Sequence, residues 1–418
     1  MKLTIKENKK TKAKIEIEQE WEDFKLFYEK ALSSFAKEIE LPGFRKGQAP
    51  ASLVESSLDP AKLLVEAATL SVDDLWPKAV ADLEKQKIEA ISQPQIELLK
   101  LAKGNEFVFS AEFEIMPEIV LPDYKAFSQK IEKKEIKVEN KEIEETVSNI
   151  QKSRASLIEK KEPAKKEDFV EINFSSPDVE NGKLRKDGFI LGKGSYPEEL
   201  EANLVGMSAG ESKEVNFNSK EEPAKSLKVK VEMLAVKEMK LPEANDEFAK
   251  TLGKFENMEA LRKNIKEGIE EEKKTAETQR RREDFLAEIS KETNVDLPQV
   301  LIDKESVQMM NNAKEQVSQN LGISFEEYLK KINKKEEDLK KEAEEAAKKR
   351  VKSFLIMREI AKREKTEASA EQMEERINAI LSYYPDLKAA EKEANFEKIS
   401  AYVEDEIKQE NAFKTLGL

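Results

Sequence analysis

The chain has 418 residues, and its 73 lysines and arginines against 86 aspartates and glutamates leave a formal charge of −13. Length predicts about two to four domains, and 39% hydrophobic beside 38% charged residues favours long amphipathic helices over one large core. The absence of cysteine and histidine excludes disulfides, a thiolate nucleophile, an imidazole base and a Cys/His zinc site, while net acidity opposes general affinity for nucleic acid.

Residues 1–115 read as an α+β unit. The N-terminal stretch lacks the continuous apolar run of a signal peptide, and no run of about 18 apolar residues follows, which predicts a cytoplasmic protein without a membrane partner. "AKIEIEQ" alternates like a half-buried strand, and Phe24, Tyr28, Ala31, Phe35 and Ile39 follow at helical spacing. Pro42 and Gly43 are expected to stop that helix. A second helical stretch spans Ala51 to Gln86 with an interruption near Asp59-Pro60, and Phe107, Phe109, Ala111, Phe113 and Ile115 then occupy one face of a strand.

Residues 116–165 form a Lys/Glu-rich, partly helical linker with its helical pattern at Ile143, Val147 and Ile150. Residues 166–240 turn strand-like in "FVEINF", "GFILGKG", "LVGMSAGESKEVNF" and "LKVKVEMLAVKE", as in a small β-rich domain. Residues 241–418 are predicted to be almost wholly helical. One helix of about 40 residues, or about 60 Å, is expected from a Ser324 N-cap with Glu327 at the capping-box position. Its apolar stripe runs through Phe325, Tyr328, Leu329, Ile332, Leu339, Ala343, Ala346, Val351, Phe354, Leu355 and Ile360.

The most informative short stretch is "ELPGFRKGQAP", Glu40 to Pro50. Gly43 and Gly47 permit positive φ, Pro42 and Pro50 restrict the chain on either side, and together they present Phe44, Arg45 and Lys46 on a narrow basic tip. Arginine can fork onto phosphate or carboxylate, lysine adds a point charge and phenylalanine adds apolar contact. An ordinary turn between two helices would account for the same pattern.

"GFRKGQAP" after a strand and helix resembles the ribosome-docking signature of the bacterial trigger factor family. The resemblance extends to "VEINF" and "LVGMSAGESKEVNF", similar to that family's FKBP-type isomerase domain, to "LPEANDEFAK" after it, and to the helical C-terminus. It implies a multidomain α+β fold: a ribosome-docking domain at 1–115, the linker, an FKBP-like domain at 166–240, and an all-α chaperone domain with long arms at 241–418. It also implies that Gly43, Phe44, Arg45, Lys46 and Gly47 dock on a protein of the large ribosomal subunit and adjacent RNA at the tunnel exit. The other implied partners are nascent unfolded chains and, off the ribosome, a second copy of this chain.

An FKBP-type site needs an aromatic-lined apolar pocket for a prolyl ring, and neither nucleophile nor metal, so no cofactor is expected. By resemblance the pocket comprises Phe174, Leu184, Phe189, Tyr196 and Leu200. Leu184 and Leu200 replace expected aromatics, Arg185 replaces an acidic residue, and the covering flap shrinks to "NSKEEPAKS", so isomerase activity is expected to be weak or absent. A dedicated prolyl isomerase with substrate-recruiting helices is the alternative reading.

For client contact the helical region offers Leu301, Ile302, Met309, Met310, Leu321, Ile323, Phe325, Tyr328, Ile356, Met357, Ile380, Leu381, Tyr383 and Tyr384. Flexible methionines beside aromatics suit variable partners, but apolar residues at helical spacing also build helix-to-helix cores, and about half of this set is expected to be buried. "GFILGKG" misses the phosphate-loop spacing and lacks its Ser or Thr, so action without ATP is expected.

Overall fold

The computed structural model describes residues 1–42, 44–45, 47–176, 183–218, 226–382 and 396–418. They divide into two compact units, residues 1–132 with 280–418, and residues 133–279.

The first unit opens with β1 (Lys2–Lys9) and β2 (Lys12–Gln19), followed by helices α1 (Trp21–Glu38), α2 (Ala51–Ser57) and α3 (Pro60–Lys85). Strands β3 (Gln95–Lys100) and β4 (Phe107–Glu114) complete an antiparallel sheet of order β1-β2-β4-β3. Ile15 pairs with Ala111 and Ile17 with Phe109, and this apolar face packs with Phe24, Ala31 and Leu63 of the helices. Phe24 and Phe107 stand 4.7 Å apart, a tilted aromatic pair at the centre of the core. The one deep polar link there is the buried Ser71 hydroxyl, which donates to Gln19 Oε1 at 2.7 Å.

Two features differ from expectation and one agrees. β1 and β3 carry no clean alternation, and each is recruited as an edge by a better-patterned neighbour. α1 ends at Glu38, before Pro42, because Ile39 and Leu41 turn in to pack against the core and the residue before a proline favours extended backbone. The break at Asp59-Pro60 falls as predicted, with Asp59 accepting from Ala61 N–H to start α3.

The rest of this unit is helical: α4 (Tyr124–Lys130) and, after the second unit, the end of a long helix, with further helices beyond it. The second unit supplies α5 (Asn140–Ser153), β5 (Ser156–Glu159), β6 (Phe169–Ser175), β7 (Arg185–Ile190), α6 (Glu198–Leu204), β8 (Ser212–Asn218), β9 (Ser226–Lys240) and α7 (Asp246–Thr251). α8 (Met258–Glu292) starts there and crosses into the first unit, which then holds α9 (Gln299–Leu321), α10 (Phe325–Lys331), α11 (Glu336–Glu364), α12 (Ala370–Leu381) and α13 (Phe396–Thr415).

The single helix of about 40 residues is thus corrected to two, α10 and α11. The Ser324–Glu327 capping box forms as predicted, with Glu327 N–H donating to Ser324 Oγ at 3.2 Å. Asn333 then adopts a left-handed φ of 51°, which ends α10. A fresh start follows at Lys335, whose N–H donates to Asp338 Oδ2. The buried stripe of α11 runs through Ala343, Ala347, Val351 and Leu355, with Ala347 in place of the expected Ala346.

Chain leaving β4 binds the sheet to these helices. Glu114 Oε2 accepts from Val300 N–H at 3.0 Å, supplying an acceptor to the first turn of α9 that its Pro298 cap lacks. Arg358 Nη2 donates to both oxygens of Glu89 at 2.9 and 3.0 Å, and Met116 and Ile119 pack against the cluster around Ile302, Val351 and Leu355. Tyr124 OH, raised to about 12 by burial and then by Glu364, donates to that carboxylate at 2.6 Å.

In the second unit, β9 is the spine of a sheet of order β5-β9-β6-β7, with β8 also on β9. Val170, Ile172, Val231 and Met233 are fully buried in it. On its surface Glu171 bonds Lys237 and, at 2.9 Å, Lys186, and these hydrogen bonds hold its carboxyl down to about 2 from an ordinary 4.5. A depressed carboxyl stabilises the fold above its unfolded pKa and loses that contribution as acid protonates it. Between pH 4.5 and about 2, the thermal midpoint of the second unit should therefore fall more steeply in the wild-type protein than in Glu171→Gln, as followed by circular dichroism. Parallel acid limbs would contradict this assignment.

Candidate functional site

The basic tip is held at both stems and open at its apex. Ile39 N–H closes α1 on Phe35 O, Phe44 N–H donates to Leu41 O at 3.1 Å, and Gln48 N–H donates to Arg45 O at 2.9 Å. Gly47 adopts φ +79°, a conformation that a side chain would strain. Leu41 and Ala49 pack against the core beneath, whereas Phe44 is 41% exposed and Arg45 is exposed beside it. Gly43 and Lys46 lie outside the described residues. What remains is an aromatic and a guanidinium at the apex of a loop pinned by backbone hydrogen bonds and two apolar anchors.

The second candidate is an aromatic cluster in the β-rich unit. Tyr196 lies 4.8 Å from Phe189 and 5.7 Å edge-on from Phe174, ring centre to ring centre. Its hydroxyl donates to Asp187, and burial first, then this carboxylate, push its pKa up, so the phenol stays protonated. Of the other expected pocket residues, Leu200, on the inward face of α6, is buried in the same cluster as Phe189, against which Phe174 and Tyr196 pack, whereas Leu184 is 63% exposed. Most of the expected flap, residues 219–225, lies outside the described residues.

One residue that sequence reading missed organises this region. Glu201 is buried and its carboxylate collects Gly192 N–H at 2.7 Å, Tyr196 N–H at 2.9 Å and Gly194 N–H at 3.4 Å. The glycines that imitate a phosphate loop do form an anion nest, with φ of +86° and +79°, and an internal carboxylate fills it. The signal was a lone glutamate on the apolar face of α6.

The third candidate is the surface of the helical arms, and here the predicted client-contact set separates. Ile302, Met310, Ile356 and Met357 are buried and are corrected to core: Ile302 joins Ala347 and Val351, and Ile356 and Met357 join Phe285 and Ile360. Leu301 and Met309 are half-buried against the same core. Leu321, 55% exposed, and the half-buried Ile323, Phe325 and Tyr328 gather where α9 turns into α10, with the two rings 6.1 Å apart and Lys314 over Phe325. Ile380 and Leu381 are half-buried at the end of α12, and Tyr383 and Tyr384 lie outside the described residues. Val307 on α9, 60% exposed, was missed, although it lies one helical turn before Met310.

Among the described residues no helix is long and apolar enough to cross a membrane, and no group of histidine, cysteine, aspartate or glutamate could hold a metal ion. Residues 1–150 match the family model of the bacterial trigger factor protein, and residues 257–417 match that of its C-terminus. The trigger factor of Clostridium botulinum is 30% identical over 424 residues, which cover 97% of this chain and 96% of that protein. That of Caldicellulosiruptor bescii is 30% identical over 399 residues, covering 92% and 89%. A solved trigger factor chaperone, described for promiscuous substrate recognition in folding and assembly, aligns over 100% of this chain and 99% of its own, with a TM-score of 0.50 at 21% identity, a likeness of fold. The chain belongs to the bacterial trigger factor family of ribosome-associated chaperones.

Proposed function

We propose that residues 1–115 dock at the exit of the ribosomal tunnel through Phe44, Arg45 and Lys46, and that the helical arms of 241–418 shield emerging chains without ATP, in the cytoplasm. The observation that carries this reading is the exposure of Phe44 and Arg45 on a loop tied down on both sides. A pre-ordered tip loses little conformational entropy on docking, and its cations suit an anionic surface in a protein otherwise charged −13. Client contact belongs to Leu321, Ile323, Phe325, Tyr328, Val307, Ile380 and Leu381, which leave apolar surface open; small separate patches bind weakly and release readily. Off the ribosome, the same exposed surfaces would support a reversible dimer.

The β-rich unit acts as a spacer or an auxiliary binding surface with little isomerase activity. Tyr196 and Phe174 offer a shallow aromatic face, with Leu200 in the core they pack against and Leu184 exposed. The alternative, a dedicated prolyl isomerase, needs an aromatic-lined pocket, and leucine stands at two of its expected positions.

Replacing Phe44, Arg45 and Lys46 together by alanine should abolish co-sedimentation with ribosomes at moderate salt while the circular dichroism spectrum stays unchanged. Undiminished co-sedimentation would sink the docking assignment. In a prolyl-peptide isomerisation assay the full chain should give a rate close to the uncatalysed one, and deletion of residues 151–240 should leave suppression of client aggregation largely intact. Rapid isomerisation, or loss of suppression on deletion, would favour the isomerase reading.

A further inference from the structure

The docking loop leaves α1 and enters α2, and the start of α3 lies at that same end of the helical layer. There Phe35, in the last turns of α1, faces Ala61, Lys62, Val65 and Glu66, in the first turns of α3, across an open cavity of about 370 Å³. Val65 is 50% exposed and presents apolar surface to this cavity. The groove is continuous with the tip: Ile39 N–H bonds Phe35 O, and a β-carbon on Gly47 would stand 3.9 Å from the Lys37 backbone, so the loop folds back on the same end of α1. Its rim carries one cation, Lys62, and one anion, Glu66, and so no net charge.

We infer that this groove is a second contact of the docking surface and receives one apolar side chain, of leucine or phenylalanine size, from the protein component of the docking partner. RNA gains nothing from a neutral, apolar-walled groove, because phosphate recognition needs unneutralised cations. An extended client is a poorer fit, since only five residues line the cavity and it lies at the end of α1 onto which the tip itself folds. Docking then has two physically different parts, a charged tip weakened by salt and an apolar groove indifferent to it. The inference rests on the docking role of residues 44–46, and the two can fail separately.

The test is a ribosome-binding titration of the full chain at low and high salt, comparing wild type, Val65→Glu, Val65→Ile, Ala61→Glu and the triple-alanine tip. Val65→Glu should weaken binding about tenfold, equivalent to about 1.4 kcal/mol, by the same factor at both salt concentrations, while Val65→Ile keeps wild-type affinity. Ala61→Glu, at the exposed rim, should act in the same direction and serves if Val65→Glu melts early. If both glutamate variants bind like wild type while the tip variant does not, the groove is no part of the interface and the inference falls alone. If the tip variant also binds normally, the docking role itself falls. Weakened suppression of aggregation of an unfolded, carboxymethylated test protein, with ribosome affinity intact, would make the occupant a client and overturn the inference.

Discussion

Strand β4 is the element on which the first unit depends. It is buried along nearly its whole length between β2 and β3, so its path is determined by the sheet, and the residues that follow it have little freedom of direction. The carboxylate of its last residue, Glu114, completes the first turn of α9, while Met116, Ile119 and Leu121 enter the helical cores and Arg358 closes on Glu89 from α11. An orphan helix N–H and an apolar stretch of chain leaving a sheet are each costly alone, and here each satisfies the other. The basic loop and the arms consequently belong to one compact unit, although more than 200 residues of sequence separate Pro50 from the arm tips.

That arrangement explains how a thinly apolar chain supports two kinds of surface. Most large hydrophobic residues are consumed by separate cores: the sheet–helix core, two clusters among the arms, one in the β-sheet of the second unit and one around Val147, Phe248 and Leu261. What is left exposed among the described residues is dispersed, and includes Leu26, Phe44, Val65, Val120, Leu184, Val307, Leu321 and Tyr402. A small patch on a strongly charged background offers only a weak contact to a flexible partner, because each contact must offset the ordering it imposes. The many ion pairs along the helices are solvent-exposed and contribute little individually, so their main effect is to keep the arms hydrated.

The β-rich unit shows how a loop can retain the form of an anion site without the function. Gly192, Gly194 and Tyr196 present three N–H groups, and Glu201 occupies them from within, fixing the turn that carries Tyr196. The same arrangement positions Tyr196 against Phe174 and Phe189 and takes these three donors from any external anion.

By itself the sequence determined the local elements with strong period and punctuation. The alternation in β2 and β4, the Asp59-Pro60 break, the Ser324 cap and the positive φ of Gly47 in the basic loop all rest on interactions within a few residues, which is why they were legible. Only the tertiary structure decided the rest. Ile302, Met310, Ile356 and Met357 have the same composition and spacing as Leu321 and Phe325, and only the position of the neighbouring helices separates core from open surface. β1 and β3 are strands because β2 and β4 pair with them, and Leu200 is core because α6 rotates its apolar face inward. Asn333 divides the long helix because a left-handed residue and a new cap compete locally with a continuous apolar stripe, a balance that the stripe alone does not reveal.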